Sequence, residues 1–122
     1  MKIAVTAKDK TLDASVDPRF GRCAYFLLVD SETMDVEPIK NEGVLDAGGA
    51  GIHAAQTIAN TGANVVLTGN VGPNAFNTLS AAGIRVITGV EGTVKEVVEQ
   101  FKQGSLKDTT NPTVASHHGS MR

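Results

Sequence analysis

The 122-residue chain carries few side chains with reactive chemistry, and most of them fall in two short runs. The first is Asp17-Pro18-Arg19-Phe20-Gly21-Arg22-Cys23. Two guanidinium groups so close together can grip an oxo- or sulfido-anion. They can equally pair with Asp13 or Asp17. Cys23, the single thiol, reads in two ways: as a soft ligand for copper, molybdenum or iron, or as a small buried hydrophobe. One cysteine cannot close a tetrahedral zinc site or hold an iron–sulfur cubane. The second run is Gly48-Gly49-Ala50-Gly51-Ile52-His53. Its glycines would let an anion approach the backbone, or simply form a loop and a close helix contact. It matches neither a Walker loop nor the dinucleotide fingerprint. His53 falls in the first turn of the helix that follows. The positive end of that helix favours a neutral ring, able to ligate metal or donate one hydrogen bond. The alternative is an exposed surface histidine. Asp9, Asp13 and Asp17 lack carboxylate partners on the strand Asn64–Thr68, which argues against two-metal hydrolysis. His117-His118 lies in a polar tail and reads as a chance pair.

These residues need a frame. Lys2–Ala7 and Tyr25–Val29 read as strands, and Met34–Lys40 as a weaker strand placed at an edge by Pro38. A helix follows over Gly51–Asn60, with an apolar stripe of Ile52, Ala55, Ile58 and Ala59 that leaves His53 off the core. Gly62 closes it. Asn64–Thr68 is a buried strand. Pro73 opens the next helix at its favoured first position, and that helix shows Phe76, Leu79 and Ala82. Ile84–Thr88 is the last strand. Thr93 and Glu96 form a capping box for a helix carrying Val94, Val97, Val98 and Phe101. The order is strand, strand, strand, helix, strand, helix, strand, helix. It predicts an α/β domain over residues 1–104, built on a mixed five-stranded sheet with helices on its faces. Residues 105–122 read as a flexible polar tail.

If the first three strands form a meander and the last two run parallel to the first, one edge of the sheet collects the carboxyl ends of four strands. The long loop 8–24 and the glycine-rich loops 48–51, 69–72 and 89–92 all leave from that edge. Ligands of open α/β sheets bind there. Three helix N-termini add partial positive charge. Asn70, in the loop 69–72, joins the candidate set.

Composition narrows the classes. Eleven basic against thirteen acidic residues give a net charge of −2, so there is no basic field for nucleic acid. No apolar run is long enough to span a membrane, and the first residues are not expected to act as a signal peptide. With one cysteine there is no intramolecular disulfide. A cytoplasmic location is expected.

The segments Met1–Val5, Val16–Phe26 with its D-P-R-F-G-R-C run, Gly49–Gln56 with G-I-H-A-A-Q, and Gly69–Phe76 together resemble the dinitrogenase iron–molybdenum cofactor biosynthesis family. This is the NifX-like group, which includes the C-terminal part of NifB and the stand-alone orange-protein relatives. The resemblance covers residues 1–104. It implies an RNase H-like fold. It implies binding, storage or delivery of a molybdenum-containing metal–sulfur cluster, with iron or copper, and no catalytic cycle. Carried over by position, it marks Arg19, Phe20, Arg22 and Cys23 in the first loop and Gly49, Gly51 and His53 in the second, with Cys23 and His53 as candidate metal ligands. The radical chemistry of NifB belongs to a domain that is absent from this sequence. Cluster-donor or acceptor proteins are the expected partners, and the chain is expected as a monomer or weak homodimer. The competing readings are a small phosphohydrolase or nuclease, and a regulatory module that binds an oxyanion or a protein.

Overall fold

A computed structural model describes residues 1–43 and 49–113. Its strands are β1 (Lys2–Ala7), β2 (Tyr25–Asp30), β3 (Val36–Lys40), β4 (Val65–Leu67) and β5 (Arg85–Ile87). Its helices are α1 (Ala50–Thr61), α2 (Pro73–Ala81) and α3 (Val94–Lys102). A single 3-10 turn, Phe20–Arg22, lies between β1 and β2. The sheet order is β3-β2-β1-β4-β5. β1 pairs antiparallel with β2, and β2 with β3. β1 pairs parallel with β4, and β4 with β5. The meander and the parallel half are those expected for an RNase H-like sheet, and β3 with its Pro38 is an edge.

Alternation along the strands divides the core into two layers. Ala4, Phe26, Leu28, Val66 and Val86 face α1 and α2, where Ala54, Ala55, Ile58, Ala75 and Leu79 cover them. Ile3, Val5, Leu27, Val29, Val65, Leu67 and Ile87 face α3, which supplies Val94, Val97 and Val98. β1 is buried from Ile3 to Ala7 because both its faces are covered.

The local signals act as read. Thr93 and Glu96 form both halves of the capping box at α3. Gly62, at φ 78°, ends α1 in the left-handed conformation. The stripe of α1 differs from expectation. The helix begins at Ala50 and buries Ala50, Ala54, Ala55 and Ile58, while Ile52 is 37% exposed. The buried face of α1 is thus shifted one step along the helix and is made mostly of alanine, and a Cβ on Gly51 would make an ordinary contact with Ala75 Cβ at 3.4 Å.

The stretch after Gly104 also departs from a loose tail as far as Thr113. Thr109 N donates to Val86 O at 2.7 Å, and its hydroxyl accepts from Thr88 N at 2.9 Å. Thr113 N donates to Val71 O at 2.9 Å, and its hydroxyl accepts from Val71 N at 2.8 Å. Asp108 holds Arg85 at 2.8 Å. The segment fastens along the outer edge of β5, whose outward backbone groups need partners. His117 and His118 lie outside the described residues.

Candidate functional site

The carboxyl ends of β1, β3, β4 and β5 share one edge of the sheet. The long loop after β1 folds back over it. Its course is pinned by a bridge between Arg19 and Asn70: Phe20 N donates to Asn70 O, and Asn70 N donates to Pro18 O at 2.8 Å. The approach is close enough that a Cβ on Gly69 would lie 2.5 Å from Pro18 Cα. The 3-10 turn then rests on the start of α1, where a Cβ on Gly21 would lie 2.9 Å from Gly51 N.

Between this loop and the ends of β2 and β3 is a cleft of about 530 Å³. Lys8, Arg19, Arg22 and Lys40 supply four cations around it, with Asp17, Ala24, Tyr25 and Asn41 completing the wall. All four basic residues are exposed. Asp17, buried at 2%, takes Arg19 Nε at 3.1 Å on one oxygen and Nη2 at 3.2 Å on the other. That hydrogen bond and the carboxylate charge raise the guanidinium pKa further, so Arg19 is a permanent cation. One buried carboxylate against four cations leaves the cleft positive, which suits an anion of low molecular weight.

The sequence-derived candidates separate into three groups. Arg19 and Arg22 meet in the cleft as expected. Gly49, Gly51 and His53 lie together at the start of α1, against which the 3-10 turn rests, and do not line that cleft. Gly49 is the N-cap, and among the described residues nothing lies within 4 Å of a Cβ placed there. Gly51 is used for packing against Gly21 and Ala75. His53 is half-buried, not fully exposed, and its ring packs so tightly on Gly43 that a Cβ there would sit 2.8 Å from Nδ1. Asn70 contributes its backbone to the bridge and keeps an exposed side chain. Gly48 lies outside the described residues.

Phe20 and Cys23 both lie in the core, which for Cys23 is the buried-hydrophobe reading. Phe20 is 3% exposed, with its ring 5.9 Å from that of Phe26. It anchors the loop in the core and offers no surface to a ligand. Cys23 is completely buried, and Sγ donates to Phe20 O at 3.3 Å. Burial, with the negative charge of Asp17 behind it, pushes the thiol up to about 12. A protonated core thiol is a poor soft ligand. Among the described residues no group of three or more His, Cys, Asp or Glu could hold a metal ion. What the cleft offers among the described residues is charge and hydrogen-bond donors.

Lys8, Lys40, Tyr25 and Asn41 are absent from the sequence-derived set. Cross-strand register brings them in: Ala7 stands opposite Tyr25, and Tyr25 opposite Lys40. The usable signal is a lysine closing each of two strands that run the same way. No helix among the described residues is long and apolar enough to cross a membrane.

A family model for dinitrogenase iron-molybdenum cofactor proteins matches residues 1–104. The apo orange protein of Desulfovibrio gigas is 47% identical, with a TM-score of 0.90 over 93% of this chain and 96% of that one. A Thermotoga protein provisionally assigned as NifB is 35% identical, with a TM-score of 0.78 over 93% and 98%. An uncharacterized protein of Methanocaldococcus jannaschii is 32% identical over 110 residues, covering 88% of this chain and 90% of that one. The sheet order, the two glycine-bearing loops and this match over residues 1–104 lead to one assignment: the chain belongs to the dinitrogenase iron-molybdenum cofactor family.

Proposed function

We propose that the chain binds an anionic molybdenum–sulfur cluster as cargo, with copper or iron in it, and hands it on without turning over a substrate. The observation that carries this reading is the convergence of Lys8, Arg19, Arg22 and Lys40 on one cleft at the carboxyl edge of the sheet. Thiometallate clusters are multiply charged and polarizable. Four exposed cations attract such a group and still release it, because exposed charge pairs are individually weak. Release is what a carrier needs, and donor and acceptor proteins are the partners it implies. The start of α1, with its helix-terminal amides, lies next to the 3-10 turn that carries Arg22 and outside the cleft wall. Cys23 takes no part in this reading, since its thiol is a core group.

The test is anaerobic titration with tetrathiomolybdate and Cu(I), and separately with iron and sulfide, followed by gel filtration and visible absorption. Charge-transfer bands that travel with the protein, and fade in Arg22→Ala, support the carrier. A protein that stays colourless in every titration refutes it. The cleft has no soft donor in its wall, which favours one second reading, a site for a simple oxyanion. Saturable binding of molybdate by the protein that rejects every thiometallate would select that reading.

A further inference from the structure

Asn41 follows β3 directly and is 1% exposed. A polar amide at that depth must satisfy its hydrogen bonds within the protein. Asn41 does so by joining segments far apart in sequence. Nδ2 donates to Gly21 O at 3.1 Å and to Cys23 O at 2.9 Å. Oδ1 accepts from Gly43 N at 3.3 Å. Its backbone N donates to Ala24 O at 3.0 Å. Both ends of the amide are thus engaged, and the residue also forms part of the cleft wall.

Each contact leads to one half of the candidate site. Gly21 and Cys23 flank Arg22, so the two carbonyls held by Nδ2 fix the backbone that carries this guanidinium. Gly43, held by Oδ1, is the residue on which the His53 ring packs. One side chain therefore contacts the backbone before and after Arg22 and also the residue on which the His53 ring packs.

We infer that Asn41 is a positioning residue that fixes Arg22 in the cleft and, through Gly43, the placement of His53 on α1 relative to it. The inference rests on the carrier reading for its functional meaning, although its structural part stands alone. Asn41 lines the cleft, but both ends of its amide are already engaged within the protein. Its amide offers two donors on one side and an acceptor on the other, a pattern that serine reproduces only in part and alanine not at all.

The test compares Asn41→Ala with Val97→Ala in the full chain. Val97 is a buried residue of α3, which covers the opposite face of the sheet, so its truncation lowers stability without touching the edge. In the cargo-free protein, Asn41→Ala should shift the NMR signals of the Arg22 side chain and the His53 ring, and Val97→Ala should leave them in place. With tetrathiomolybdate and Cu(I), Asn41→Ala should bind about tenfold more weakly, since a poorly held site loses affinity steeply, while Val97→Ala binds as the unaltered protein does. If Asn41→Ala does not fold, Asn41→Ser replaces it and should give a smaller change in the same direction. The inference is overturned if the two NMR signals stay unmoved in the Asn41 variant, or if Val97→Ala reproduces its losses. If the unaltered protein binds no thiometallate while the NMR shifts occur as stated, the carrier reading fails and the structural role of Asn41 survives.

Discussion

Asp17 and Arg19 form a pair in which the two partners have opposite surroundings: the carboxylate is 2% exposed and the guanidinium side chain 65%. Asp17 also accepts Arg19 N at 3.0 Å, so it grips both the backbone and the fork of the same residue. The buried end is fixed, and it aims the exposed end at the cleft. Replacing Asp17 by Asn keeps the volume but turns one acceptor into a donor that faces a guanidinium. A loss of about 1–3 kcal/mol of stability follows from a buried polar group without its partner. Urea unfolding at neutral pH measures it, and an unchanged midpoint would mean that solvent replaces the pair.

The cleft's charge makes a second expectation. Lys8 and Lys40 are exposed, so each contributes modestly. Lys8→Ala and Lys40→Ala should each weaken thiomolybdate binding about three- to tenfold, and the double variant by roughly the product, given well-separated sites. Binding should also weaken in salt, since exposed charges are screened within about 10 Å at 0.1 M. Affinity that ignores both salt and these lysines would move the cargo away from the cleft.

Cys23 sets a pH limit. An unfolded thiol ionises near about 8.5, and the folded one near 12. Below the unfolded value both states hold the proton and the thiol's contribution is complete. Between the two values only the unfolded state loses it, so stability falls as pH rises, by up to about 1.4 kcal/mol per pH unit. Thermal melts from pH 7 to 10.5 should show this decline, and Cys23→Ser, which has no such titration, should show a shallower one. Parallel profiles would assign the alkaline loss to other groups.

Residues 108–113 close the outer edge of β5. Thr109 alone engages Val86 O and Thr88 N. Ending the chain at Gly104 frees both groups and removes the anchor at Val71. The shortened protein should be less stable and should self-associate through β5, as exposed strand edges do. Light scattering against concentration measures it. The Arg85–Asp108 pair, 45% exposed on each side, adds little by itself, so Asp108→Ala should remain close to the intact protein.

The contrast between what the residues foretell and what they conceal follows from range. Strands, caps and helix starts are written locally: the Thr93 and Glu96 box, Gly62 and Pro73 each act within four residues of themselves. Strand direction rests on the meander and the parallel half assumed for this element order, and the sheet has both. The other features depend on partners distant in sequence. Lys40 reaches the cleft only through its register with Tyr25. The burial of Phe20 and Cys23 depends on how far the loop tucks beneath α1, which no periodicity in an irregular segment expresses. The fastening of Thr109 and Thr113 rests on isolated hydrogen bonds, and a polar stretch with scattered bonds looks the same as a loose one.

Gly21 and Gly51 meet backbone to backbone, with no side chain between them. The scaffold beneath the site is thus a seam of main chain, indifferent to the rotamers above it. Arg22, Lys8 and Lys40 stand outside that seam, on exposed positions with room to vary. Frame and lining are separate parts of this molecule. A change of lining alone would retune the site for a cargo of different charge or size, while the two glycines keep the mould that receives it.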